Sequence, residues 1–269
     1  MSPWNEKVVA ITGGSAGLGL AIAKAFHQRG AFIVLLARDP SKLAMAESAL
    51  KNERVLSVPA DVTDEQSVKN AIAQILEKTG RLDVLVNNVG KSDRIELLDT
   101  SLADYREFME INFLSAVSCT YAALEALKKT SGHVVNIGSL SSKTAWPFLA
   151  PYTTSKFALA GFTHQLRLEG PPEIHSLLVC PGPIKRNDAG ERYDKQASKR
   201  GLSAAARQPG AGAKVRAMDP EKLAEKIIFS CEKRKPEWMP FKYRLVLMLN
   251  ALSPRFGDWF LKKKMKKIK

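Results

Sequence analysis

Tyr152 and Lys156 stand four residues apart in Tyr152-Thr153-Thr154-Ser155-Lys156, a spacing that puts both side chains on one face of a helix. A phenol ordinarily keeps its proton up to about pH 10. A cation beside it favours the phenolate, so the pair is suited to giving and taking a proton near neutrality. Taken alone, an exposed tyrosine and a solvated lysine explain the spacing more simply. Ser139, ahead of them in the chain, adds a hydroxyl that changes this balance. A second group of residues suits phosphate. In Thr12-Gly13-Gly14-Ser15-Ala16-Gly17-Leu18-Gly19, glycines 13, 17 and 19 fall where an apolar run gives way to a helix. Bare backbone N–H groups can approach a pyrophosphate there, and a helix N-terminus favours its charge. The spacing is neither G-x-G-x-x-G nor a Walker A loop, and a tight strand–helix turn is the competing explanation.

The elements that must position these groups alternate. Apolar runs at Lys7–Thr12, Phe32–Ala37, Arg54–Pro59, Leu82–Asn87, His133–Ile137 and Ser176–Cys180 read as strands. Helical stretches fall between them at Gly17–Arg29, Ser41–Lys51, Glu65–Thr79, Ala103–Lys128 and Pro151–Glu169. Thr63 or Asp64 caps the third of these. Continuous apolar strands separated by helices mean a parallel sheet covered on both faces, an α/β doubly wound fold. Ser139 and Tyr152 then both lie at the carboxyl edge of the sheet, where such folds bind ligands. Residues 183–218, rich in Gly, Ala, Lys, Arg and Gln, read as a long loop of the kind used for lids. A helix at Pro220–Arg234 follows, capped by Asp219, and Pro236–Pro240 can supply a short last strand.

The 269 residues, 45% hydrophobic and 25% charged, are enough to bury a sizeable core. No apolar run is long enough to span a bilayer, and Met1–Lys7 is too short for a signal peptide. Cys119, Cys180 and Cys231 are odd in number and far apart, which disfavours a disulfide framework or structural zinc and fits a reducing, cytoplasmic setting. Four scattered histidines suggest no metal site. Of the net charge of +14, residues 233–269 carry +10, with twelve Lys/Arg against Glu237 and Asp258. The body is nearly neutral and the tail is a basic arm.

The sequence resembles the short-chain dehydrogenase/reductase family over about residues 7–185. The resemblance rests on residues 12–19, Asp61-Val62, Asn87-Asn88-Val89-Gly90, Asn112, Ser139, Tyr152-x3-Lys156 and Pro181-Gly182, in the family's order and spacing. It implies a single Rossmann-type domain over residues 1–235 with a helical extension over 236–269. It also implies catalytic roles: Tyr152 protonates the developing alkoxide, Lys156 holds the nicotinamide ribose and tunes Tyr152, Ser139 binds the substrate carbonyl, and Asn112 anchors a proton relay through water. Without the family pattern, Asn112 reads as a satisfied buried amide. The cofactor is expected against Gly13, Ser15, Ala16, Gly17, Leu18, Gly19, Arg38, Asp61, Val62, Asn88, Gly90, Tyr152, Lys156, Pro181, Gly182 and Ile184. Homodimers or homotetramers are implied as well.

Ala37 and Arg38 occupy the tip of the second strand, where NAD enzymes place an acid for the adenine ribose. An uncharged residue followed by arginine suits a 2′-phosphate, so NADP(H) and reduction are expected; the alternative is a surface Arg38 paired with Asp39. Two departures from the family stand out. Val89 replaces the usual alanine, and Arg186 stands where many members place a threonine. The Gly-Gly-rich ending of acyl-carrier-protein ketoreductases is missing, which weakens a 3-oxoacyl reductase reading. Instead Tyr243–Leu252, then Phe256, Trp259, Phe260, Leu261, Met265 and Ile268 among lysines, resemble the tails of the family's membrane-associated branch, which reduces lipid, retinoid and steroid carbonyls. A hydrophobic ketone or aldehyde is the expected substrate, with peripheral membrane contact through 242–269. A packing helix pair and a nucleic-acid arm are the other readings of the tail, the last disfavoured because no binding module accompanies the charge. A non-catalytic NADP sensor is the reading from outside enzymology.

Overall fold

The computed structural model describes residues 2–50, 54–185, 217–253, 255 and 257–259. Seven parallel strands form one sheet: β1 (Val8–Thr12), β2 (Phe32–Ala37), β3 (Val55–Pro59), β4 (Val84–Asn87), β5 (His133–Ile137), β6 (His175–Val179) and β7 (Glu237–Trp238). Their spatial order is β3-β2-β1-β4-β5-β6-β7. The expected α/β doubly wound parallel sheet is therefore the fold, and each predicted strand lies within two residues of its observed bounds.

Alternation along the strands feeds two cores. Val9 and Ile11 of β1 with Ile33 and Leu35 of β2 face one side, where Ile22, Phe26 and Ile227 cover them. Val8, Ala10, Val34 and Leu36 face the other, under Ile72, Ile75, Ala123 and Leu127. The helices are α1 (Gly17–His27), α2 (Pro40–Leu50), α3 (Glu65–Thr79), α4 (Leu102–Met109), α5 (Ser115–Lys129), α6 (Ala150–Glu169), α7 (Pro220–Glu232) and α8 (Phe241–Leu252); α1, α2 and α7 cover the first side and α3 and α5 the second. Asp64 caps α3 by accepting from Gln66 N and Ser67 N, and Asp219 caps α7 by accepting from Glu221 N and Lys222 N.

One predicted helix is divided. The stretch around Ala103–Lys128 is α4 and α5 joined by a π turn over Glu110–Leu114. A π turn lets one extra residue into the helix, and Asn112 sits in it. The strand order reverses between β1 and β4, which opens a crevice beyond their carboxyl ends. Most of the predicted lid, residues 186–216, and with it Arg186, lies outside the described residues, as does 260–269 of the tail. The two described ends of the lid meet: Met218 N donates to Pro183 O at 2.7 Å and Lys185 N to Met218 O at 2.8 Å.

Candidate active site

The carboxyl ends of β1 and β4 are locked together by Thr12 and Asn88. Thr12 Oγ1 accepts from Asn88 N (2.9 Å) and Val89 N (3.2 Å), and Asn88 Nδ2 donates to Thr12 O (3.0 Å). The chain then turns through Gly13, at a φ of 63° that favours glycine, into α1. Gly19 is needed for a different reason, because a Cβ on it would lie 2.2 Å from Gly13 O. The first turn of α1 has no side-chain cap at Ala16, whereas α3, α4 and α7 have Asp64, Ser101 and Asp219. Its first N–H groups are thus open to an anion, so the residues present fit a dinucleotide pyrophosphate.

From this loop a cleft of about 1100 Å³ runs along the carboxyl edge of the sheet. Gly13, Ala16, Gly17, Leu18, Asn88, Gly90, Ser139, Tyr152, Lys156, Pro181, Gly182 and Ile184 line it, together from five separate stretches of the chain. Ser15, Gly19, Arg38, Asp61, Val62 and Asn112 do not. Val62 is buried among the core residues under α3. Arg38 and Asp61 face each other outside the cleft, Nη1 to Oδ2 at 3.9 Å. Asp39 is not Arg38's partner: it caps α2 by accepting from Ser41 N and Lys42 N, and it pairs with Lys42 at 3.3 Å. Asp61 accepts from Thr63 N and Thr63 Oγ1, contacts that hold its carboxyl below the usual carboxylate range.

Lys156 is 4% exposed, and its Nζ donates to Ile137 O at 2.7 Å. Burial lowers its ammonium to about 8, because the charged form loses its water. The same Nζ lies 5.9 Å from the centre of the Tyr152 ring. Ser139 lies two residues beyond β5 in extended backbone; its Oγ accepts from Ser141 N, and Ser142 Oγ accepts from Ser139 N. This reciprocal capping fixes the hydroxyl and leaves its proton for a group in the cleft.

Asn112 stands behind the cleft wall. Its Oδ1 accepts from Lys91 N (2.7 Å), and its Nδ2 donates to Lys91 O (3.0 Å) and Ser155 Oγ (2.9 Å). A side chain on Gly90 would meet Asn112 Oδ1 at 3.2 Å and Lys156 Nζ at 3.4 Å, so a bare glycine lets amide and ammonium approach. Deeper in, Asn87 Nδ2 donates to Asn136 Oδ1 (2.8 Å) and Asn136 Nδ2 to Thr163 Oγ1 (2.9 Å), tying β4, β5 and α6 together.

Sequence reasoning missed the far wall of the cleft. Arg94, Leu140, Trp146 and Leu149 line it, and Ile95 N donates to Phe148 O at 2.9 Å to close it. These residues sit on loops, where no periodicity marks them; the one signal was their nearness in sequence to Gly90, Ser139 and Tyr152. With Val89, Ile137, Pro183 and Ile184 they make the wall largely apolar.

Comparison with known proteins agrees with this geometry. A family model described as short chain dehydrogenase matches residues 7–197. "Dehydrogenase/reductase SDR family member 7B" of Xenopus laevis is 38% identical over 190 residues, which are 67% of this chain and 59% of that protein's length. A short-chain dehydrogenase from Streptomyces avermitilis superposes with a TM-score of 0.79 at 26% identity, covering 99% of both chains. An alcohol dehydrogenase from Thermococcus sibiricus, complexed with 5-hydroxy-NADP, does so with a TM-score of 0.72 at 26% identity, over 88% of this chain and 96% of that one.

Proposed function

Because the chain belongs to the short-chain dehydrogenase/reductase family of oxidoreductases, we propose that it is an NADPH-dependent reductase of hydrophobic ketones or aldehydes with Tyr152 as proton donor. The observation that carries the reading is the convergence of Ser139, Tyr152 and the buried Lys156 on one largely apolar cleft that starts at the glycine loop. A bound nicotinamide dinucleotide would supply the hydride. Ser139 Oγ donates a hydrogen bond to the substrate carbonyl oxygen and holds it near the Tyr152 hydroxyl. As hydride reaches the carbon, Tyr152 gives its proton to that oxygen, so the C=O becomes CH–OH and a phenolate remains. The Lys156 ammonium stabilises the phenolate until it is reprotonated from water. Asn112 fixes the Lys91 main chain at the back of the site and anchors the water relay that returns the proton.

NADPH is favoured by Arg38, whose side chain is 76% exposed. An open ion pair at 3.9 Å holds little energy, so the guanidinium is available to a 2′-phosphate. The Thermococcus relative's NADP analogue is in keeping with this. Two associations belong to the same reading. The exposed Tyr121 on α5, edge-on to Phe162, and the exposed Phe157 on α6 suit a second copy of the chain, and a mass by light scattering equal to one protomer would refute it. Phe241, Met248, Leu252 and Trp259 are exposed beside Lys242 and Arg244 in the extension. This suits the surface of an anionic membrane; binding to anionic vesicles that salt does not weaken would refute it. Among the described residues no helix is long and apolar enough to cross a membrane.

The test follows NADPH and NADH oxidation with ketones and aldehydes graded in chain length and ring number. Turnover should require NADPH and rise with apolar size. Arg38→Ala should weaken NADPH binding about tenfold to a hundredfold, the loss of a charge-assisted bond, and leave NADH unchanged. Preference for NADH would overturn the Arg38 assignment. Turnover confined to acyl-carrier thioesters would overturn the substrate class.

A further inference from the structure

We propose that Glu237 is a positioning residue for the Ser139 loop, holding it through Lys143 and linking it to α8; its kinetic consequence rests on the reductase reading, while the mechanical link does not. The Ser139 hydroxyl is carried by a three-residue 3₁₀ turn, Leu140–Ser142. So short a turn has little stability of its own, and burial of its three residues together with what holds its two ends sets its place. The first end is held by the reciprocal Ser139–Ser142 capping and by Leu140 N, which donates to Pro181 O at 3.0 Å. The second end is Lys143. Its Nζ lies 2.6 Å from Glu237 Oε2, with both side chains partly buried.

Glu237 belongs to β7, an edge strand of two residues paired with β6 at Leu178 and Val179. Trp238 O accepts from Cys180 N at 2.7 Å, and Pro181 follows directly. The serine loop is therefore tied to β7 twice, through main chain by way of Pro181 and through side chains by way of Lys143. The other carboxylate oxygen of Glu237 faces α8: Arg244 Nη2 lies 3.8 Å from Oε1 and 3.5 Å from Glu237 O. One carboxylate thus stands between the serine loop and the helix that exposes Phe241, Met248 and Leu252. An isolated surface ion pair contributes little to global stability. Leu140, Ser141 and Ser142 are themselves buried, so at charge-assisted distance the loss of this pair acts locally, at the Lys143 end of the turn that carries Ser139.

The test is amide hydrogen exchange on the full chain, comparing wild type with Glu237→Gln, Lys143→Gln and the double variant. Ser142 N, Lys143 N and Thr144 N make the turn's own bonds to Ser139 O and Leu140 O and report its opening. Their exchange should quicken about threefold to tenfold in each single variant and no further in the double, since both remove one interaction. Amides of β1 and β4, the Tm and the affinity for NADPH should stay as they are. With decanal as the probe substrate, kcat should fall while KM for NADPH holds. Unchanged exchange in Glu237→Gln would overturn the proposal. So would additive effects in the double variant, or quickened exchange spread across the sheet with a lowered Tm, which is what a merely structural residue gives. If wild type reduces no carbonyl, the reductase reading falls while the exchange result still decides the link.

Discussion

Lys156 ties the proposed chemistry to pH. Its burial brings the ammonium to about 8 from an ordinary 10.5, so above about pH 8 the cation that stabilises a Tyr152 phenolate disappears. The kcat/KM for NADPH, which reports groups of the free enzyme, should therefore fall as pH rises through about 8. Stability moves the other way for this group. Between 8 and 10.5 the unfolded chain holds its proton while the folded one has released it, so the Lys156 contribution to stability grows with pH there. A profile flat to pH 10 would contradict the role given to Lys156. Spacing made Tyr152 and Lys156 legible in the sequence because a helix turns a count of four into a shared face. It could not reveal that Lys156 reaches the Ile137 carbonyl, since that distance depends on how α6 lies on β5. Arg38 was legible by its place at the strand tip. Its pairing with Asp61 instead of Asp39 was hidden because Asp39 is used as a helix cap.

Two helices, α1 and α6, give opposite expectations for the same substitution. In Gly19→Ala the new methyl would fall 2.2 Å from Gly13 O and 2.7 Å from Asn88 Nδ2, so the loop and the β1–β4 clamp must move. NADPH affinity should drop more than tenfold, and stability by about 1–3 kcal/mol, the usual cost of overpacking. Gly161→Ala, on α6 with nothing within 4 Å, should instead raise stability by about 0.5–1 kcal/mol. Urea denaturation and NADPH titration of both variants check the contrast; equal behaviour would contradict it. The strands were readable because they are buried on both faces and so appear as unbroken apolar runs. The π turn at Glu110–Leu114 was not, because one extra residue in a helix barely disturbs its apolar period. The Asn87–Asn136–Thr163 ladder was invisible for another reason: it depends on the register between β4 and β5.

The whole molecule places its two polar centres at opposite edges of one sheet, the cleft at the carboxyl edge and a histidine pair at the amino edge. His133 Nδ1 and His175 Nδ1 are 2.8 Å apart, and His175 Nε2 lies 2.8 Å from Lys235 O. The carbonyl requires a proton on His175 Nε2, so His175 Nδ1 accepts and His133 Nδ1 donates, with both rings neutral. Burial pulls His133 down to about 3, helped by His175 and Arg234 and opposed by Asp83; burial lowers His175 as well. The unfolded chain binds protons near pH 6.5 and the fold does not, so stability is lost as pH falls from about 6.5 toward 3. Between pH 6.5 and 5 His133 alone should cost about 2 kcal/mol, at about 1.4 kcal/mol per pH unit. Denaturant melts at pH 7 and pH 5 should show this drop shrinking in His133→Leu, and an unchanged drop would contradict it. Topology of this kind was legible as a class from the alternation of runs, but the meeting of β5 and β6 at their histidines needed the sheet order. At the cleft, one comparison tests Tyr152 as the proton donor most directly. With NADPH saturating and a carbonyl that wild type reduces, Tyr152→Phe should lose about 10²–10⁴ in kcat, the scale of general acid catalysis, and bind NADPH within twofold of wild type. Turnover that survives in Tyr152→Phe would show that the proton comes from elsewhere and would contradict the proposed mechanism.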